Sequence, residues 1–281
     1  MIVREILEAA DRLERDRGAD ATPWDARILL AHALGVRGPL ALDPAAEVTP
    51  VEQARFEALW VRRLTGEPVQ HVLGEWDFHG RTFSVDARAL VPRPETEILV
   101  EAALREAPDA RRILDAGTGS GVVAVTLLLE LPSARALACD SSFDALALAL
   151  ENARRHGVAG RLDLAGSDWL RALSPGGFDL AVSNPPYLAL PDRPGLLPTV
   201  QHDPPAALFA GEDGLEAIRQ LLDALPGHLL PGAPFLFELG YGQALDVERE
   251  IRARPEWAFS RIEPDLSGIP RVAIARKRPC P

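Results

Sequence analysis

One stretch, Asp115-Ala116-Gly117-Thr118-Gly119-Ser120-Gly121, restricts the folds open to this chain more than any other. The apolar-ended run of residues 111–114 precedes it, and Val122-Val123-Ala124-Val125-Thr126-Leu127-Leu128-Leu129, long enough for a buried helix, follows. The order predicts strand, glycine turn and helix. Gly117, Gly119 and Gly121 permit positive φ and let a ligand come close to the backbone, with Thr118 and Ser120 in the same binding loop. The helix N-terminus beyond them favours a ligand's negative group. The loop alone does not name its ligand, because Gly119-Ser120-Gly121-Val122-Val123-Ala124 also satisfies the dinucleotide-binding pattern.

A second apolar run, residues 134–139, ends in Asp140, about 20 residues past the loop. A carboxylate at that strand end can accept both hydroxyls of a ribose, a feature common to nicotinamide and S-adenosyl-L-methionine enzymes. Asp115 separates the two. A sulfonium methyl donor carries an ammonium that pairs with a carboxylate, directly or through water, whereas a pyrophosphate is repelled by one. Asp115 therefore favours the sulfonium donor. Ser167-Asp168-Trp169 follows another expected strand, residues 161–165; Asp168 can accept from an adenine amine and Trp169 can cover the base. The alternative is a helix-capping aspartate beside a core tryptophan.

Asn184-Pro185-Pro186-Tyr187 follows the expected strand at residues 178–183 and points to the acceptor. An amide or aromatic amine nitrogen has its lone pair delocalised into a π-system, so it attacks an electrophile poorly unless it is held. The Asn184 side-chain oxygen and the Pro185 carbonyl, fixed by the φ restriction of Pro185 and Pro186, offer two acceptors for the two N–H bonds of an NH2 group. Tyr187 can lie against the flat face of that group. A tight turn after a buried strand is the competing explanation of Pro-Pro. The reading assigns Asn184, Pro185 and Tyr187 to catalysis, all four residues to the substrate, and Asn184 also to the donor side.

Taken together, these motifs resemble the HemK/PrmC family, methyltransferases of the glutamine in the Gly-Gly-Gln motif of class 1 peptide chain release factors. Gln70-His71-Val72-Leu73-Gly74-Glu75-Trp76-Asp77-Phe78-His79-Gly80 is similar to the family's interdomain segment, and Leu90-Val91-Pro92-Arg93-Pro94-Glu95-Thr96-Glu97 to its Pro-Arg-Pro-x-Thr-Glu signature. Phe237-Glu238-Leu239-Gly240 and Asp265-Leu266-Ser267-Gly268-Ile269-Pro270-Arg271 also fit its pattern. His71 and Asp77 depart from it, standing where tyrosine and glutamate are usual. The resemblance runs from about residue 65 onward and implies an α/β, class I S-adenosylmethionine-dependent methyltransferase (Rossmann-like) domain with antiparallel final strands. It implies S-adenosyl-L-methionine as cofactor, a release factor as protein partner, and a cytoplasmic enzyme.

The remaining sequence places three segments around this centre: a helical substrate-recognition bundle at residues 1–74, a β-hairpin linker at 75–92 and the methyltransferase domain at 93–281. Ile2, Ile6, Leu7, Ala10 and Leu13 recur at helical spacing before a stop at Gly18. Thr22-Pro23-Trp24-Asp25 opens a second helix and the capping box Thr49-Pro50-Val51-Glu52 a third. The alternating stretch 76–91 predicts the hairpin. Residues 188–214, with Pro191, Pro194, Pro198, Pro204 and Pro205, are expected to form an ordered loop over the active site, followed by helices at 216–225 and 244–252 and a strand at 233–239. A net charge of −11 over 281 residues argues against bulk nucleic-acid binding, which needs Lys and Arg against phosphates, and suits a basic protein partner. No apolar run reaches the roughly 20 residues of a membrane span. Cys139 and Cys280 are the two cysteines, and the histidines are scattered, so no metal is expected. The expected state is a monomer. A nucleic-acid amine methyltransferase is the alternative, because adenine and guanine present the same planar NH2.

Overall fold

The structure, a computed structural model, describes residues 1–17 and 20–279. The helix stop expected at Gly18, and Cys280, lie outside the described residues. The chain forms two compact units: Met1–Trp76 together with Gly195–Asp203, and Asp77–Pro194 together with the residues from Pro204 onward.

In the first unit the capping signals act as expected. Helix α1 spans Val3–Arg17, α2 Pro23–Ala33, α3 Pro50–Leu64 and α4 Val69–Leu73. Thr22 and Asp25 close a reciprocal capping box on α2, as Thr49 and Glu52 do on α3, and each helix begins with proline, whose missing N–H costs nothing there. The apolar faces bury Val3, Ile6, Leu29, Leu30, Phe56 and Trp60. One charge is buried with them: Arg63 pairs with Asp20 at 2.9 Å and Asp25 at 3.1 Å, and also donates to the Asp20 carbonyl at 2.8 Å. Thr199 N–H donates to the other Asp20 oxygen at 3.2 Å, tying residues 195–203 to this unit. The segment expected to be one loop is thus divided between the units, and short 3-10 turns at Leu190–Gly195, Val200–His202 and Pro205–Ala207 give it local order.

The hairpin strands β1, Glu75–Phe78, and β2, Arg81–Ser84, lead into the second unit, ending sooner than the alternation to residue 91 predicts. The order then runs α5 Glu95–Glu106, β3 Arg112–Ala116, α6 Val122–Glu130, β4 Arg135–Asp140, α7 Phe143–Arg155, β5 Leu162–Gly166 and β6 Leu180–Ser183. It closes with α8 Glu216–Ala224, β7 Pro234–Glu238, α9 Ala244–Arg252, β8 Trp257–Pro264 and β9 Pro270–Lys277. The seven-stranded sheet has the order β5-β4-β3-β6-β7-β9-β8, with β9 antiparallel to both β7 and β8. Its inner strands β6 and β7 are buried on both faces. Ile113, Leu180, Val182 and Leu236 point into one core with α5 and α6, while Leu114, Ala181, Phe235 and Phe237 point into the other with α8 and α9. Successive strand residues face opposite sides. From β3 the order runs outward to β4 and β5 on one side and to β6 and β7 on the other, and this reversal opens a crevice beyond the carboxyl ends of β3 and β6.

Candidate active site

That crevice holds a cavity of about 370 Å3, lined by Asp115, Gly117, Thr118, Gly119, Ser120, Asp140, Asp168, Trp169, Asn184 and Pro186, among others. Volume and position fit a ligand site at a topological switch point. Of the residues expected from sequence, Gly121, Pro185 and Tyr187 are not in this lining; Tyr187 lines a neighbouring depression with Leu188, Gly240 and Gln243.

The glycine loop is built by backbone geometry. Gly117, Gly119 and Gly121 have φ of 76°, 54° and 80°, the left-handed region that costs other residues strain. A Cβ on Gly121 would come within 2.9 Å of the Ala149 Cβ, so this glycine serves the packing of α6 on α7. A Cβ on Gly117 would meet the Trp169 ring at 3.3 Å. The indole therefore covers the first glycine, held there by a backbone that itself has φ of 50°. Gly117 and Thr118 N–H donate to the Cys139 carbonyl, clamping the loop to the end of β4. Asn152, fully buried on α7, donates to the carbonyls of Ser84 and Ser120 and accepts from Ser84 N–H, fastening the hairpin to the loop. Sequence reasoning missed Asn152, whose only signal is an amide on an otherwise apolar helix face.

The carboxylates of Asp140 and Asp115, both in the cavity lining, differ. Asp140 accepts from Gly119 N–H and Ser142 N–H, both at 2.9 Å, and its remaining lone pairs fit two hydroxyls. Asp115 is 1% exposed, accepts from the Thr118 hydroxyl at 2.7 Å, and burial pushes its carboxyl up to about 7. Such a group gains from a cation placed beside it. Asp168 is half-exposed and paired with Arg171 at 2.5 Å. Two carboxylates, a glycine cradle and an indole face thus line one cavity.

Thr96 and Asn184, also in the lining, belong to a side-chain network. Asn184 Nδ2 donates to Thr96 Oγ1 at 3.1 Å and Thr96 donates to Glu238 at 2.7 Å. Thr96 and Glu238 are 2% and 1% exposed. Burial pushes Glu238 up to about 7 and raises the Tyr187 phenol. Asn184 Oδ1, shielded from solvent, has no hydrogen-bond partner among the described residues. Thr96 and Glu238 carried no role in the sequence reading, although a glutamate ending the apolar run of β7 is a visible signal.

The methyltransferase small domain family matches residues 94–192, and the PrmC N-terminal domain family residues 5–74. A release factor glutamine methyltransferase of Cereibacter sphaeroides is 44% identical over 98% of this chain and 99% of its own length. The chain belongs to the release factor glutamine methyltransferase family. Its relative of the same name in Deinococcus radiodurans is 41% identical over 99% of both chains. Among solved structures, a methyltransferase from Pyrococcus furiosus superposes with a TM-score of 0.54 at 19% identity, covering 78% of this chain and 98% of that one. The catalytic domain of hMettl16, solved with the MAT2A 3'UTR hairpin 6, gives 0.57 at 16% identity and 82% of each chain. These two likenesses establish the fold: an α/β class I methyltransferase sheet. As a member of this family the chain is an enzyme that uses S-adenosyl-L-methionine, and the nicotinamide reading of the glycine loop falls away.

Proposed function

We propose that this chain methylates the side-chain amide nitrogen of the glutamine in the Gly-Gly-Gln motif of class 1 peptide chain release factors, in the cytoplasm. The observation that carries this reading is the solitary Asn184 Oδ1. A buried acceptor without a partner costs about 1–3 kcal/mol, and this one belongs to a residue that lines the cavity, where a substrate N–H can complete it. An acceptor suits an N–H donor, and a neutral amide NH2 needs no counter-charge.

S-adenosyl-L-methionine, when bound, supplies a sulfonium methyl carbon that the amide nitrogen attacks in line, the N–C bond forming as the C–S bond breaks and its electron pair leaves on sulfur. Asp140 would take the ribose, Asp115 the ammonium and Trp169 the adenine face, with the glycine loop fixing their spacing. Asn184 Oδ1 and the Pro185 carbonyl would hold the two N–H bonds of the glutamine, Pro186 fixing the turn and Tyr187 limiting rotation. Orientation of the nitrogen toward the methyl carbon supplies most of the acceleration. Positive charge growing on that nitrogen is met by the same two acceptors. The product nitrogen then loses its proton to water, so no dedicated base is required. Half-exposed Asp168, held by Arg171, is the weakest assignment to the adenine amine, and Trp169 carries more of that task.

Peptide mass spectrometry of a purified release factor after incubation with this protein and S-adenosyl-L-methionine tests the reading. One added methyl on the Gly-Gly-Gln glutamine, absent when that glutamine is replaced, is the expected result. No addition to any release factor would transfer the proposal to a nucleic-acid amine.

A further inference from the structure

Asn184 can serve as an acceptor only if its amide is turned the right way, and an asparagine has nearly the same shape in both orientations. Glu238 has no proton to give when ionised, so it can only accept. It accepts the Thr96 hydroxyl at 2.7 Å, which commits that hydroxyl's single proton. Thr96 Oγ1 is then an acceptor toward Asn184, and the Asn184 atom 3.1 Å away must be the NH2 group. Reversal would place two oxygens together. The chain of bonds thus runs one way, and it leaves Oδ1 as the free atom.

We propose that Thr96 and Glu238 are positioning residues that set the polarity of Asn184, keeping its oxygen rather than its NH2 available to the substrate nitrogen. This rests on the reading of Asn184 as the acceptor of a planar NH2. Neither residue need touch substrate. A glutamine at position 238 loses this one-way character: its NH2 can donate to Thr96, whose hydroxyl can then donate to Asn184 Oδ1, presenting the wrong end of Asn184 to the cavity.

Steady-state kinetics on a release factor, with donor binding measured by calorimetry, test the proposal. Thr96→Val, which keeps the shape and removes the hydroxyl, should lower kcat about 100-fold while the donor Kd stays within about twofold. Thr96→Ser should return turnover to within about threefold of the natural protein, and Glu238→Gln should lower kcat about tenfold, since its amide serves either direction. A second measurement needs no substrate. In protein labelled at asparagine nitrogen, the Asn184 Nδ2 protons should give a cross-relaxation peak to the Thr96 side chain, and Glu238→Gln should weaken it by about half as both orientations are populated. Unchanged kcat in Thr96→Val, or an unchanged cross-peak in Glu238→Gln, overturns the proposal. A natural protein that leaves every release-factor glutamine unmodified instead overturns the reading of function, and the cross-peak still decides the polarity.

Discussion

Two buried polar clusters in this chain follow the same rules and end differently. In the helical unit, Arg63 is answered by Asp20 and Asp25; the other Asp20 oxygen takes Thr199 N–H, Asp25 Oδ2 takes Thr22 N–H as well as Arg63, and no described atom of the cluster is buried without a partner. Between α5, β6 and β7, the bonds from Asn184 through Thr96 to Glu238 satisfy every group except one oxygen. Closure is what a cluster needs to hold helices together; an open end is what it needs to hold something else. Burial of polar groups therefore says little about function until the unpaired atom is found.

The largest effect should come from removing that open end. Asn184→Ala should lower kcat roughly 1,000-fold, in the range lost with one hydrogen bond to a developing charge. The donor Kd should stay within about threefold. Thr96 keeps Glu238 as its partner, so the stability loss should be only about 1 kcal/mol. Calorimetric donor titration beside turnover measures the split, and unchanged turnover would remove Asn184 from the chemistry. The closed cluster should show the opposite profile. Arg63→Met strands two half-buried carboxylates and should cost about 3 kcal/mol in denaturant unfolding. Turnover per folded molecule should change less than about twofold, and a loss near that of Asn184→Ala would erase the contrast.

Acid should act on the two clusters in opposite directions. Burial pulls the Asp20 carboxyl up, but the hydrogen bond and charge of Arg63 outweigh it and hold the group below its ordinary value. The stability it contributes is complete above the unfolded value and is lost as pH falls through the lower folded one. Glu238, faced by Thr96, Tyr187, Glu95 and Arg271, and Asp115, faced by Thr118 and Asp140, are pushed up to about 7. Between the ordinary carboxylate range and 7 the folded state holds protons that the unfolded state has released, so their share of stability falls as pH rises through that window. The roles proposed for them use the ionised forms. At saturating donor, kcat should fall as pH drops below about 7, following Glu238, while donor affinity falls over the same range, following Asp115. A flat kcat between pH 6 and 8 would separate Glu238 from the polarity of Asn184.

Much of this arrangement was legible in the sequence, because local signals and long-range packing agree. Capping boxes at Thr22 and Thr49 fixed two helix starts to the residue, and the apolar runs around the glycine turn gave the strand–turn–helix order of β3 and α6. Asp115, Asp140, Trp169 and Asn184 all reach that crevice. Other features depend on residues far apart in the chain. Glu238 meets Thr96 across 142 positions, and no local pattern reports such a pairing. Residues 195–203 read as part of a proline-rich lid because Asp20, which fastens them to the helical unit, lies 179 positions from Thr199. Tyr187 was placed by its neighbours in sequence, yet it borders a separate depression with Gly240 and Gln243.

The smallest effect concerns the donor end, where backbone shape rather than a side-chain network makes the site. Gly117→Ala meets two obstacles: φ of 76° and a Trp169 ring 3.3 Å from the new Cβ. The left-handed backbone costs about 1–2 kcal/mol, and the indole must give way as well. If Trp169 covers the adenine, that shift should raise the donor Kd about tenfold, equivalent to roughly 1.4 kcal/mol. Asn184, Thr96 and Glu238 lie outside the disturbance, so kcat at saturating donor should remain within about twofold of the natural value. The reverse outcome, a lower kcat at unchanged donor Kd, would mean that the glycine loop sets the line of attack as well as the donor's place, and that the two ends of the cavity do not divide binding from alignment.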